Sequence, residues 1–339
     1  MINIPLNNQI FDTHIKSLTK KLQDKINSID TSELSKNTLC CLNEIYINAE
    51  LIIKADVQEL KKIIEYFKSN FYCSIGYEEN KQTELYLTLS KIFIDDKTGL
   101  YKNFTNAEKK EHNAYHLVQA LNLKTCPYCN RSYISFVKND EKKTRPQLDH
   151  FYPKAIYPFL ACSFYNLIPS CSACNHMKSD DDSYKDEKNG KLVHPYNVKD
   201  SDFTFSYTFY NLDILKSIDE KNIRFEDEEK IKITLDRKYE KNNEYFQLET
   251  IYQNHKDIVI ELILKEINYP RSYINELIKN GFGTEEEIYR FIFSNYLKID
   301  DLHKRPLSKL TRDIVEELGI LYKIELATKE EYSTKEQEN

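Results

Sequence analysis

The chain has 339 residues, enough for two or three structural units, with 40% hydrophobic residues to fill cores and 30% charged ones. A net charge of −6 excludes a polycation that coats nucleic acid over its whole surface. No charged-then-apolar leader opens the sequence and no apolar run approaches the ~20 residues that span a bilayer, so a cytoplasmic location with reduced thiols is expected.

Residues 1–110 read as a helical region: Val57, Leu60, Ile63, Ile64 and Phe67 recur at helical spacing with Lys and Glu between them. Nothing there carries recognisable chemistry, and a packing or partner-binding helical domain is the expectation. Residues 111–198 change character. They hold six of the nine Pro, five of the eight His and five of the eight Cys, with short turns in place of long periodic runs. That is the composition of a small metal-stapled domain. From Cys126 to Lys178 there are seven Lys or Arg against three acids, a net of +4, so the rest of the chain carries −10. A basic patch in an acidic chain can still recruit phosphate locally.

Residues 199–328 read as α+β, then helical. Phe203, Phe205, Tyr207 and Phe209 alternate with polar residues, as do Ile231, Ile233 and Leu235, which predicts two strands, with Ile223 and Phe225 a candidate third. Helices are expected over 258–267, after the capping pattern Thr284/Glu287, and over 308–318 up to Gly319. Residues 329–339 are polar and read as a disordered tail.

The eight Cys are at 40, 41, 73, 126, 129, 162, 171 and 174. Cys126-Pro-Tyr-Cys129 and Cys171-Ser-Ala-Cys174 are two CxxC pairs separated by 41 residues. Each pair can offer two thiolates from one tight turn, and two pairs complete a tetrahedral four-cysteine site, so structural Zn²⁺ is expected. The other four Cys have no such partners and read as core or incidental thiols.

Between the pairs lie Asp149-His150-Phe151-Tyr152-Pro153-Lys154 and Asn166, and the second pair runs on as Asn175-His176-Met177-Lys178. Hydrolysis of a phosphodiester needs a base for the attacking water, a divalent ion at the phosphate, and cationic groups around it. A hard ion such as Mg²⁺ or Mn²⁺ takes only one or two protein oxygens. Asp149 and Asn175 could supply them, with His150 as the base and Asn166 an amide that pins the loop and the imidazole. Asp149 could instead orient the imidazole. Asn175 competes with His176 for the last ligand position, because neighbours on a helix point about 100° apart. Lys154, His176 and Lys178 are candidate phosphate contacts. His194 lies well past the second pair and is kept outside the site. His112 and His116, four apart, read as core or surface histidines rather than a ligand pair.

In this order the residues resemble the HNH, or ββα-metal, nuclease family, in which a strand carries Asp-His, a loop Asn, and a helix the final His or Asn. The matching stretches here are Asp149-His150, Asn166 and the run Cys171-x-x-Cys174-Asn175-x-x-Lys178. Together with His150-Phe151-Tyr152-Pro153-Lys154 and Tyr157-Pro158, they resemble the HNH component of Septu-type and retron-linked antiphage systems, which works beside a partner ATPase. The resemblance covers roughly 55 of the 339 residues. It implies a mainly α fold with small α+β elements, a ββα-metal core around a four-cysteine zinc site, and helical flanks. It also implies DNA cleavage that leaves 5′-phosphate ends. A non-catalytic zinc module that binds nucleic acid or protein, and an RNA-cleaving toxin, are the alternatives. No helix-turn-helix or finger array indicates sequence preference, and the pattern does not fix an oligomeric state.

Overall fold

The structure is a computed structural model that describes residues 1–71, 81–139, 141–211, 213–220, 222–269, 271–281 and 283–319. Cys73 and the polar tail at 329–339 lie outside the described residues. The fold is mainly helical, with three two-stranded antiparallel ladders among the described residues. The chain divides into two compact units, one of residues 4–126 and 134–197, the other of 1–3, 127–133 and 198–339.

The first unit opens with α1 (Asn8–Asn27), whose N-terminus is closed by the Asn7 side chain accepting from the Ile10 amide. Ile10, His14, Leu18, Leu22 and Ile26 recur every four residues and form its buried face. α2 (Lys36–Ile47), α3 (Ala49–Lys54) and α4 (Val57–Asn70) follow. α4 starts at a capping box, Asp56 with Glu59, and buries the stripe the sequence predicts, Val57 through Phe67. Next come α5 (Glu84–Phe93), α6 (Leu100–Thr105) and α7 (Ala114–Leu121). Gly99 precedes α6 because a Cβ there would sit 2.5 Å from the Asp95 amide nitrogen.

An exposed hairpin of β1 (Val137–Lys138) and β2 (Lys143–Thr144) leads into β3 (Gln147–His150), which pairs with β4 (Leu167–Ser170). The register sets Asp149 opposite Ile168 and His150 opposite Leu167. α8 (Ser172–Lys178) follows β4 after one residue and packs on β3, and α9 (Ser183–Lys188) comes next.

The N-terminal helices grip the loop between β3 and β4. Phe67 of α4 stacks on Phe159 at 4.1 Å, and Ser163 Oγ donates to the Ile52 carbonyl at 2.6 Å. His14 of α1 contacts the Cys162 carbonyl through Nε2 at 2.9 Å and His112 through Nδ1 at 3.0 Å. A carbonyl only accepts, so Nε2 carries the proton and His112 donates to Nδ1. Burial lowers the His14 pKa from 6.5 to about 4. The unfolded chain therefore takes up this proton first. The stability from neutral His14 is complete above pH 6.5 and is lost as pH falls toward 4. Acidification from pH 7.5 to pH 5 is expected to cost about 2 kcal/mol through this group. Urea midpoints at the two pH values check this, and His14→Gln should reduce the difference by about that amount, the remainder coming from His112, His150 and His194, whose pKa values burial also lowers.

In the second unit, β5 (Phe203–Phe209), α10 (Asp213–Asp219) and β6 (Ile231–Arg237) follow in chain order. β5 and β6 pair antiparallel, Phe203 opposite Arg237 through Phe209 opposite Ile231, so both expected strands form. The expected third does not. Residues Phe225–Lys230 form a 3-10 turn with Phe225 exposed, because the run Glu226-Asp227-Glu228-Glu229 lacks an apolar face and Asp227 caps the Arg224 amide.

α11 (Glu240–Phe246), α12 (Leu248–Tyr252), α13 (Lys256–Asn268), α14 (Arg271–Lys279), α15 (Glu285–Phe293) and α16 (Ser308–Glu317) complete the unit. The Thr284/Glu287 box caps α15, and Gly319 follows α16 with φ +71°. α16 closes over the ladder: Asp313 accepts from the Phe205 amide at 2.9 Å and from Lys309 at 2.7 Å. The same unit anchors the first CxxC turn. Tyr128 stacks on Phe246 at 4.2 Å, and Tyr252 donates to the Cys129 carbonyl at 2.6 Å. Asn130, left-handed at φ 49°, accepts from the amides of Leu307 and Lys309. No helix among the described residues is long and apolar enough to cross a membrane.

Candidate metal centre and catalytic cleft

The four thiols of Cys126, Cys129, Cys171 and Cys174 come together, all Sγ atoms within 4.8 Å of one another. Zn–S bonds of about 2.3 Å require S···S edges near 3.8 Å in a tetrahedron, so this donor set fits zinc. Amides face two of the sulfurs: Arg131 donates to Cys129 at 3.4 Å and Cys174 to Cys171 at 3.5 Å, an arrangement that favours thiolate. Cys171 is also the N-cap of α8, so the cysteine turn fixes where that helix begins.

A cleft of about 430 Å³ opens beside the β3–β4 ladder. Asp149 and His150 line it from the end of β3, Asn175 and His176 from α8, and Lys154 from the loop. Asp149 and His150 are buried, Asn175 and Lys154 are half-buried, and His176 is exposed at the rim. Both neighbours on α8 thus border the cleft, the amide deeper than the imidazole. Asp149 and Asn175 offer two oxygen donors to one cavity, a set that fits a hard divalent ion keeping most of its waters.

The His150 imidazole is fixed by its Nε2 contact to the Ala161 carbonyl at 3.0 Å, which requires the proton on Nε2 and leaves Nδ1 as the basic nitrogen. Burial, with the charges of Lys154 and Lys178 adding to it, lowers its pKa to about 3, so the ring is neutral at ordinary pH. Tyr101 packs edge-on against it with ring centroids 4.5 Å apart.

Asn166 acts on the same turn from the other side. Its Oδ1 accepts from the Tyr152 amide at 2.7 Å, and its Nδ2 donates to the Tyr152 and Leu160 carbonyls, both at 3.0 Å. The last bond holds the residue next to Ala161, so Asn166 orders the imidazole through one peptide unit rather than by touching it.

Lys178 does not meet the expectation of a phosphate contact. It is wholly buried, donates to the His150 carbonyl at 2.8 Å, and lies 3.4 Å from the Asp149 carboxylate. The length of α8 carries it beneath β3, where its charge balances the carboxylate. Lys178→Met should strand a buried carboxylate and cost about 3–5 kcal/mol, read as a lower urea midpoint. His194 is buried against Phe151 at 4.0 Å and does not line the cleft.

Among the lining residues without a signal in the sequence pattern are Tyr101, Arg145 and Asp180. Tyr101 sits in a helical region without a motif, and Arg145 and Asp180 are ordinary surface types by sequence. Only the fold brings them to the cleft.

No protein-family model and no solved structure matches the chain. Among curated proteins, it is 38% identical over 61 residues to the Septu protein PtuB of Bacillus thuringiensis. The match covers 18% of this chain and 21% of that relative, so it spans about a fifth of the relative's length. Over that stretch the chain is similar to a Septu protein.

Proposed function

We propose that the chain is a divalent-metal-dependent endonuclease of the HNH type that hydrolyses DNA and works in antiphage defence beside a partner ATPase. The observation that carries this reading is the convergence of Asp149, a neutral and oriented His150, and Asn175 on one cleft. The antiparallel pair β3–β4 followed by α8, with the four-cysteine cluster at its base, supports a ββα-metal core. The similarity to a Septu protein supports the defence setting.

In this reading Asp149 and Asn175 hold Mg²⁺ or Mn²⁺, which when bound supplies positive charge at the scissile phosphate. His150 Nδ1 would take the proton of a water that attacks phosphorus in line; the P–O3′ bond breaks as the new P–O bond forms, and the 3′ oxygen leaves and takes a proton from solvent, giving a 5′-phosphate and a 3′-hydroxyl. The Ala161 carbonyl keeps the ring in the required tautomer, and Lys178, 3.4 Å from the Asp149 carboxylate, keeps it in place. Lys154 and Arg145 border the cleft and offer cations to phosphate oxygens.

The test is incubation of the purified chain with supercoiled plasmid and, in parallel, with RNA, in Mg²⁺ or Mn²⁺ and with EDTA, alone and with a neighbouring ATPase. EDTA-sensitive nicking or linearisation is expected. A chain that binds zinc and DNA but never cuts under these conditions would be a non-catalytic zinc module, and preferential loss of RNA would point to the toxin alternative.

A further inference from the structure

Cations and tyrosines alternate from the cleft outward. Lys154 Nζ lies over the Tyr101 ring at 4.8 Å from its centroid. Tyr101 and Arg145 both line the cleft. The Arg145 guanidinium lies over the Tyr115 ring at 5.7 Å, and Lys138 Nζ approaches the same ring at 5.7 Å. Four separate pieces of chain build this ribbon: α6, α7, β1 with the segment before β3, and the loop after it.

Two features mark it as a surface for a ligand. Every residue of β1 and β2 is exposed, so the hairpin contributes no core, yet it places Lys138 on Tyr115 and presents Lys142 to solvent. Tyr101, Tyr115, Arg145 and Lys154 are all half-buried, held in place and in part exposed to solvent.

We propose that this ribbon, from Lys154 through Tyr101, Arg145 and Tyr115 to Lys138, binds a single DNA strand as it leaves the cleft, with phosphates on the cations and unstacked bases on the tyrosines. The alternation favours a single strand over a duplex. A duplex keeps its base faces stacked and offers mainly phosphates, for which lysines alone suffice, whereas a single strand presents charge and π faces in turn. The proposal rests on the nuclease reading for the strand's path, since the ribbon ends at His150 and Asp149.

The full chain, in buffer without added Mg²⁺ or Mn²⁺ so that nothing is cut and the zinc is not stripped, is titrated against a fluorescein-labelled 15-nucleotide DNA strand and the matching duplex, read by anisotropy. Tyr115→Ala is expected to weaken strand binding about tenfold, with Tyr115→Phe near wild type and the duplex changed less than about twofold. Lys138→Ala should reduce the slope of log affinity against log salt by about 0.7. If Tyr115→Ala fails to fold, Lys138→Glu on the exposed strand carries the test, with at least a tenfold loss expected. The proposal is overturned if the wild type does not bind the strand, if the variants bind it as tightly as wild type, or if the duplex loses as much as the strand. A Mg²⁺ cleavage assay run separately distinguishes the two readings. Strand binding that needs the ribbon without any cleavage removes the nuclease reading alone, and cleavage with a dispensable ribbon removes this proposal alone.

Discussion

Exchange of His150 for alanine is expected to lower the rate of Mg²⁺- or Mn²⁺-dependent plasmid cleavage by about 10²–10⁴-fold, the range for loss of a positioned general base. The argument is local. A neutral imidazole with its proton on Nε2 has one basic nitrogen, and the ring lines the cleft that also holds Asp149 and Asn175. Because burial holds its pKa near 3, His150 is already in its base form at neutral pH. The rate should therefore not titrate with this group over about pH 6–8. Asn175→Ala provides a contrast: it should raise the metal concentration needed for cleavage while leaving the base in place. Thermal melts of each variant separate lost chemistry from lost fold. A His150→Ala protein that melts normally and cuts at the wild-type rate would sink the proposed mechanism.

The second large effect concerns zinc. Cys171→Ser is expected to reduce bound zinc from about one ion per chain to a small fraction of that, and to lower the melting temperature by about 10 °C or more. Free energies of structural zinc binding are folding free energies, because the unfolded chain has no preformed site. Here the cost should extend to the cleft, since Cys171 caps the helix that carries Asn175, His176 and Lys178. Elemental analysis and calorimetry on the same preparations check both halves. Cys40→Ser, an exposed thiol outside the cluster, should change neither. A Cys171→Ser protein with full zinc content would show that the four thiols are not the ligand set.

Much of this architecture is legible in the sequence itself. Apolar residues at helical spacing located α4 and α13, a capping pair located α15, and strict alternation located β5 and β6. These signals are local, so a window of sequence contains them whole. The two CxxC pairs were equally readable, because two such turns together offer the four thiolates of a tetrahedral site. The Ile223/Phe225 strand failed for a local reason too: alternation over two positions is too short to outweigh four consecutive acids. What sequence could not supply were partnerships across long separations. His14 meets His112 and the Cys162 carbonyl, and Tyr101 meets His150, with nothing in either segment announcing the other. Lys178 illustrates a different limit. Its charge suggested a surface role, yet the length of α8 drives it under β3, where a carboxylate awaits it.

The turn at 161–162 holds two imidazoles at once, His150 on one carbonyl and His14 on the next. Both acceptors belong to the main chain, which is the same whatever side chains the two positions carry. Substitutions at Ala161 or Cys162 are therefore constrained by volume alone, since both are fully buried, and not by hydrogen-bonding chemistry. The orientation of the proposed base is thus stored where point mutation cannot rewrite it directly. Libraries that vary these two positions among small apolar residues should retain a correctly turned His150, whereas changes at Asn166, the side chain that shapes the turn, should not.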